Sequence, residues 1–161
     1  MRQLLVFGIV LGIVAGFAAA ALPRDYDFRL FTYDEANKLR QVKLLDRMKT
    51  YDRVLDRYGY QLQHFAQMRN YKEMGDWAAM LDGVMDYILE DIRLCVADEK
   101  LRNNKQLRKS EIALRSKGSL IRGLQRSVPL VWQEKFDPAL RKMTYGRRLL
   151  FNFINHVDQE E

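Results

Sequence analysis

From Leu45 to Met68 the apolar side chains fall at Leu45, Met48, Tyr51, Leu55, Tyr58, Leu62, Phe65 and Met68, in steps of three or four. That is the period of an α-helix with one buried stripe, close to a heptad. The helix signal begins earlier, at Thr32. Thr32 and Glu35 form a T-x-x-E capping box, Asp34 adds negative charge to the first turn, and no proline interrupts Tyr33 to Asn70. The spacing predicts one long first helix. The break after it is expected in the stretch Lys72–Asp76 around Gly75.

Trp77, Leu81, Val84, Ile88, Ile92 and Cys95 mark the inner face of a second helix, widened by Met80, Met85 and Leu89. Asn103-Asn104 is a turn signal. A third helix carries Leu107, Leu114, Ile121, Leu124 and Val128 inward, with Ser110 and Gly118 on the same stripe, where it could approach a neighbour closely. Pro129 should kink or end it. Asp137-Pro138 reads as N-cap and first helical residue of a fourth helix, with Leu140, Met143, Leu150, Phe151, Ile154 and Val157 inward. Short connections make consecutive helices antiparallel. The fold class expected is all-α, an antiparallel bundle of three to four helices with a long first helix, forming a single domain over residues 32–161.

Two segments precede that domain. Leu4 to Ala21 contains no charged side chain, follows Arg2, and ends in small residues before Pro23-Arg24-Asp25. These are the parts of a signal peptide over residues 1–21, with cleavage expected before Leu22 behind Ala19 and Ala21. The rival is a retained anchor, for which Gly8, Gly12 and Gly16 would supply a dimer face. In either case the body of the protein is expected outside the cytoplasm, exported to a periplasm or secreted. Residues 22–31 read as an extended lead-in, with Tyr26, Phe28 and Leu30 on one side. Cys95, the single cysteine, has no intrachain partner and reads as a small buried hydrophobe; an intermolecular disulfide would require its exposure.

Charge changes the picture more than composition does. The chain is net +6, but residues 73–99 hold eight acids against Arg93 alone, and residues 101–126 hold eight bases against Glu111 alone. On the third helix Arg108, Arg115, Arg122 and Arg126 cluster beside the Leu114 and Ile121 stripe as a basic ridge. One reading is an anionic partner, because the guanidinium fork pairs two oxygens at once. The other is internal. The acidic helix is next in sequence, should pack antiparallel to the basic one, and opposite charges flanking their seam would assist that pairing.

Few chemistries have their residues here. Two histidines and one cysteine leave no H-x-x-x-H, CxxC or CxxCH, and there is no G-x-S-x-G or gathered glycine loop. Asp82–Asp86 and Asp86–Glu90 are four apart on one helix face, but the E-x-x-H partners of carboxylate-bundle metal sites are missing. No catalytic residue, cofactor or metal is therefore assigned. The size and basic surface are similar to those of small exported envelope chaperones, although the L-T-x-x-Q signature of one such group does not occur. The function expected is non-enzymatic macromolecular binding in or near the cell envelope, with a protein or anionic envelope component as partner and the ridge as contact surface. Nucleic acid is disfavoured by export and by a ridge without aromatics, and membrane contact is expected only through the N-terminal segment, if that segment is retained. The alternatives are a membrane-tethered dimerising protein and an enzyme whose acid–base groups converge from separate helices.

Overall fold

The computed structural model describes residues 25–40 and 43–156; the segment expected to be a signal peptide or anchor, with Gly8, Gly12 and Gly16, lies outside them, as does Val157. The described chain is all-helical. Its helices are α1 (Tyr33–Leu39), α2 (Leu44–Gln67), α3 (Tyr71–Val96), α4 (Lys105–Ser127), α5 (Leu130–Gln133) and α6 (Asp137–Asn155), with single 3-10 turns at Glu99–Leu101 and Glu134–Phe136. Among the described residues no helix is long and apolar enough to cross a membrane.

The expected single first helix is two. The capping box starts α1, with Glu35 N donating to Thr32 Oγ1 at 3.3 Å and Thr32 N to Glu35 Oε2 at 2.8 Å. α1 ends at Leu39, and Lys43 is extended ahead of α2. No proline or glycine forces this break. It follows from burial: Ala36 and Leu39 pack away from solvent, and Arg57 of α2 holds Glu35 through two hydrogen bonds of 2.9 and 2.8 Å. A continuous rod would leave that apolar face uncovered. The lead-in also departs from an extended strand, since Leu30 N and Phe31 N both donate to Asp27 O in a turn. Tyr26 and Phe31 are buried against Tyr87, whereas Phe28 is exposed.

α2, α3, α4 and α6 form the walls of a four-sided bundle in which α2 neighbours α3 and α4, and α6 neighbours α3 and α4. Directions follow from matched residues. Arg47 meets Asp91 and Tyr58 meets Trp77, so α2 and α3 are antiparallel. Lys142 meets Asp82 and Gly146 lies against Leu89 and Ile92, so α3 and α6 run parallel. Gln106 meets Asp52 and Gly59 faces Leu120, so α2 and α4 run parallel. Gln125 meets Asp137 and Arg147 meets Glu111, so α4 and α6 are antiparallel. Consecutive long helices alternate in direction as expected, but α3 and α4 stand on a diagonal instead of side by side. The connection from Ala97 to Asn104 is long enough to cross the bundle end, and it is ordered locally. Asp98 accepts from Lys100 N at 3.1 Å, and Asn104 caps α4 by accepting from Gln106 N at 2.8 Å.

The inner faces are largely those of the hydrophobic stripes. Met48, Tyr51, Leu55, Tyr58 and Leu62 are buried on α2, as are Leu81, Val84, Ile88, Ile92 and Cys95 on α3 and Leu107, Leu114 and Ile121 on α4. Burial of Cys95 closes the intermolecular-disulfide alternative for the folded protein. Four local expectations need correction. The α2–α3 break lies at Met68–Asn70, where Arg69 is left-handed (φ 53°), while Gly75 is inside α3 under Trp132. Gly118 has no side-chain neighbour within 4 Å of a Cβ position; Gly146 is the close approach, its Cβ position 2.9 Å from Leu89 Cδ2. Asp137 is the first residue of α6 rather than its N-cap. Phe151 is exposed and Phe153 buried.

Candidate anion-binding site

α4 presents Arg108, Arg115 and Arg122 at seven-residue intervals with Arg126 one turn beyond, and all four are exposed. The helix keeps them outward because Leu107, Leu114 and Ile121 take its inner face. With α6 as its neighbour, α4 forms one wall of a groove whose other wall carries Arg141, Arg147 and Arg148. The wider part is a cavity of about 600 Å³ lined by Arg122, Arg141, Arg148, Thr144, Tyr145 and Asp137, among others. It continues into a narrower cleft of about 90 Å³ between Arg115, Arg122 and Arg147. Arg108 and Arg126 line neither cavity and flank the groove on the exposed face of α4.

Where the acids go decides the character of this groove. Asp91 on α3 takes Arg47 of α2 in a buried pair of 2.8 and 3.1 Å, with Tyr51 Oη donating to it at 3.0 Å. Asp82 and Asp86 share Lys142 Nζ at 2.8 and 2.7 Å, so this carboxylate pair grips an ammonium group on the α6 side away from the groove. Lys117, on the inner flank of α4, pairs with Asp56 of α2 at 2.7 Å. The expected neutralisation of the ridge by the acidic helix therefore does not occur. Among the described residues Arg108, Arg115, Arg122, Arg126, Arg141 and Arg148 make no ion pair.

Asp137, which lines the groove, and Glu111, buried beside it on α4, are already engaged. Glu111 accepts from Arg147 Nε at 3.2 Å, and Asp137 accepts from Gln125 Nε2 at 2.6 Å. Among the described residues Arg122 Nη2 reaches only Thr144 Oγ1, at 3.5 Å. Arg148 lies 5.6 Å from the centroid of the Tyr145 ring, with Arg93 at 5.9 Å on the same ring. Guanidinium groups placed this way are open forks for oxyanions, and the Tyr145 ring holds one of them by its π face. The α6 arginines were not singled out by sequence. Their signal was the paired bases Arg141-Lys142 and Arg147-Arg148 on one helix, which acquires meaning only once α6 is known to lie beside α4.

Groups sought for other chemistry are dispersed. His64 is exposed and stacked on Tyr60, and His156 caps the end of α6 with Nδ1 2.6 Å from Arg102. Among the described residues no cluster of His, Cys, Asp and Glu is arranged for a metal ion. Compared with known proteins, the chain matches no family model, no curated sequence and no solved structure.

Proposed function

We propose that this protein is an exported, non-enzymatic helical bundle that binds an anionic component in or near the cell envelope through the α4/α6 arginine groove. The observation that carries the reading is the diagonal placement of α3 and α4, which leaves the ridge arginines without acidic partners among the described residues. Like charges kept together and exposed raise self-repulsion in the free protein, and an incoming polyanion relieves it. Export is supported by the charge-free run Leu4–Ala21 behind Arg2.

The test is retention on immobilised heparin in rising salt. Reversing Arg115, Arg122 and Arg141 to Glu should abolish retention at salt concentrations where the parent still binds. Reversing the exposed Lys38, Lys49 and Arg53 to Glu changes net charge equally and should cost much less. Equal losses in the two variants would reduce the effect to net charge, and unchanged retention in the first would remove the groove from the binding surface. A pull-down from the native envelope with the parent and the groove variant then identifies the partner as what only the parent retains.

A further inference from the structure

We infer that the end of the bundle carrying α5 docks on an anionic lipid bilayer, its apolar turn entering the interface while the groove arginines bind headgroup phosphates. This rests on the anion-binding reading of the groove and names its partner class.

Two consecutive aliphatic side chains, Leu130 and Val131, are 80% and 75% exposed. They occupy the link between the two helices that form the groove, directly after Pro129. The exposure is built in, because the link is firmly held. Gln133 Nε2 donates to Val128 O at 2.9 Å, Trp132 N donates to Pro129 O at 2.9 Å, and Val128 and Phe136 are buried on either side. Trp132 packs on Gly75, where a Cβ would lie 2.9 Å from its ring. The turn thus anchors its inward residues and holds Leu130 and Val131 out.

The same turn is joined to the groove. Gln125 Nε2 donates both to Gln133 O (2.9 Å) and to Asp137 Oδ1 (2.6 Å), and Gln125 lines the larger cavity. Exposed Arg126 and Lys135 bracket the turn against the exposed Glu134. Protruding aliphatic groups beside unpaired guanidinium groups match a bilayer interface, which offers hydrocarbon a few ångströms beneath a layer of phosphates. A soluble polyanion supplies charge but nothing for Leu130 and Val131. An acidic protein would need a pocket shaped to receive them.

The experiment places an environment-sensitive fluorophore at the turn. In full-length Leu130→Cys the new thiol is the one accessible for labelling, since Cys95 is fully buried. Lys49→Cys near the start of α2, at the opposite end of the bundle, is the control. Vesicles of phosphatidylcholine mixed with phosphatidylglycerol should brighten and blue-shift the label at position 130 and leave that at 49 unchanged; pure phosphatidylcholine vesicles should do neither at 130. Arg122→Gln with Arg141→Gln should weaken the anionic-vesicle response at least about tenfold. Leu130→Ser with Val131→Ser should lower vesicle affinity to a similar extent while heparin retention persists.

A silent label at 130 with anionic vesicles, or an equal response to neutral ones, overturns the bilayer assignment. If heparin retention still depends on the groove arginines, the anionic partner is then a polyanion or acidic protein. Loss of arginine dependence in both assays overturns the bilayer assignment together with the reading beneath it.

Discussion

Asp52→Asn should stabilise the protein at neutral pH and do nothing in acid. Asp52 lies on α2 at the contact with α4, half-buried, and accepts from Gln106 Nε2 at 2.7 Å; Gln106 Nε2 also reaches Ser110 Oγ at 3.3 Å. Burial outweighs the hydrogen bonds from Ser110 and Gln106 and the attraction of Lys109, and with repulsion from Asp56 the carboxyl is pushed up to about 6 from its ordinary 3.8. The folded state therefore holds this proton more tightly than the unfolded chain does. Its contribution is fully present below the unfolded value and is lost as pH rises through about 6. Two units at about 1.4 kcal/mol each set a ceiling of roughly 3 kcal/mol. Solvent at the partly open side chain lowers the expected difference to about 1–2 kcal/mol. Asn keeps an acceptor for Gln106 and carries no charge to desolvate. Urea unfolding of parent and variant, followed by circular dichroism from about pH 3 to pH 8, isolates the effect because every other titrating group is common to both. The stability difference should be near zero at the acid end, rise through the titration range and level off. A flat difference, or a variant less stable at the alkaline end, would refute burial as the dominant influence on this group.

Two further outcomes test the packing that places the groove. Asp91→Ala leaves the Arg47 guanidinium, 3% exposed, without its bidentate carboxylate and should cost about 3–5 kcal/mol in urea unfolding; Arg47→Met combined with Asp91→Leu should recover part of that loss, the remainder staying with the buried Tyr51 hydroxyl that loses its acceptor, and a double variant as unstable as the single one would show that the charge is not the source. Gly146→Ala presses a methyl group to 2.9 Å from Leu89 and should destabilise by about 1–3 kcal/mol, whereas Gly118→Ala, with open space around it, should stabilise by up to about 1 kcal/mol through helix propensity; thermal melts with the opposite order would reverse the assignment of which glycine is a contact.

Those glycines show where a sequence stops being informative. Gly118 and Gly146 both interrupt helical stripes, yet one faces open space and the other two large side chains, because a stripe tells which face turns inward and not what stands opposite. The inner faces themselves were legible for that reason, as Tyr51, Leu55, Tyr58 and Leu62 bury by local period alone. So was the Thr32–Glu35 capping box, which is closed within four residues. The α1–α2 break was not, since its causes are Arg57 on a later helix and the burial of Leu39 against a partner not yet in place. Exposure of Leu130 and Val131 likewise required the anchoring of Trp132 on Gly75, a contact across 57 positions of the chain.

The candidate site depended on one such non-local fact. Opposite charge on consecutive helices predicts neutralisation only if the helices are neighbours, and in a four-sided bundle a helix has two neighbours and one diagonal. A connection of two to five residues forces the first arrangement; that between α3 and α4 runs from Ala97 to Asn104 and carries a helical turn of its own, which permits the second. Once α4 lies beyond reach of Asp82, Asp86 and Asp91, those acids take Lys142 and Arg47 from the helices that do flank α3, and the arginines of α4 and α6 are left on one side. The clustering of arginines without ion pairs among the described residues is thus a product of topology rather than of the net charge of +6. A chain of identical composition with a tight α3–α4 turn would bring the acids of α3 against the ridge and lose it.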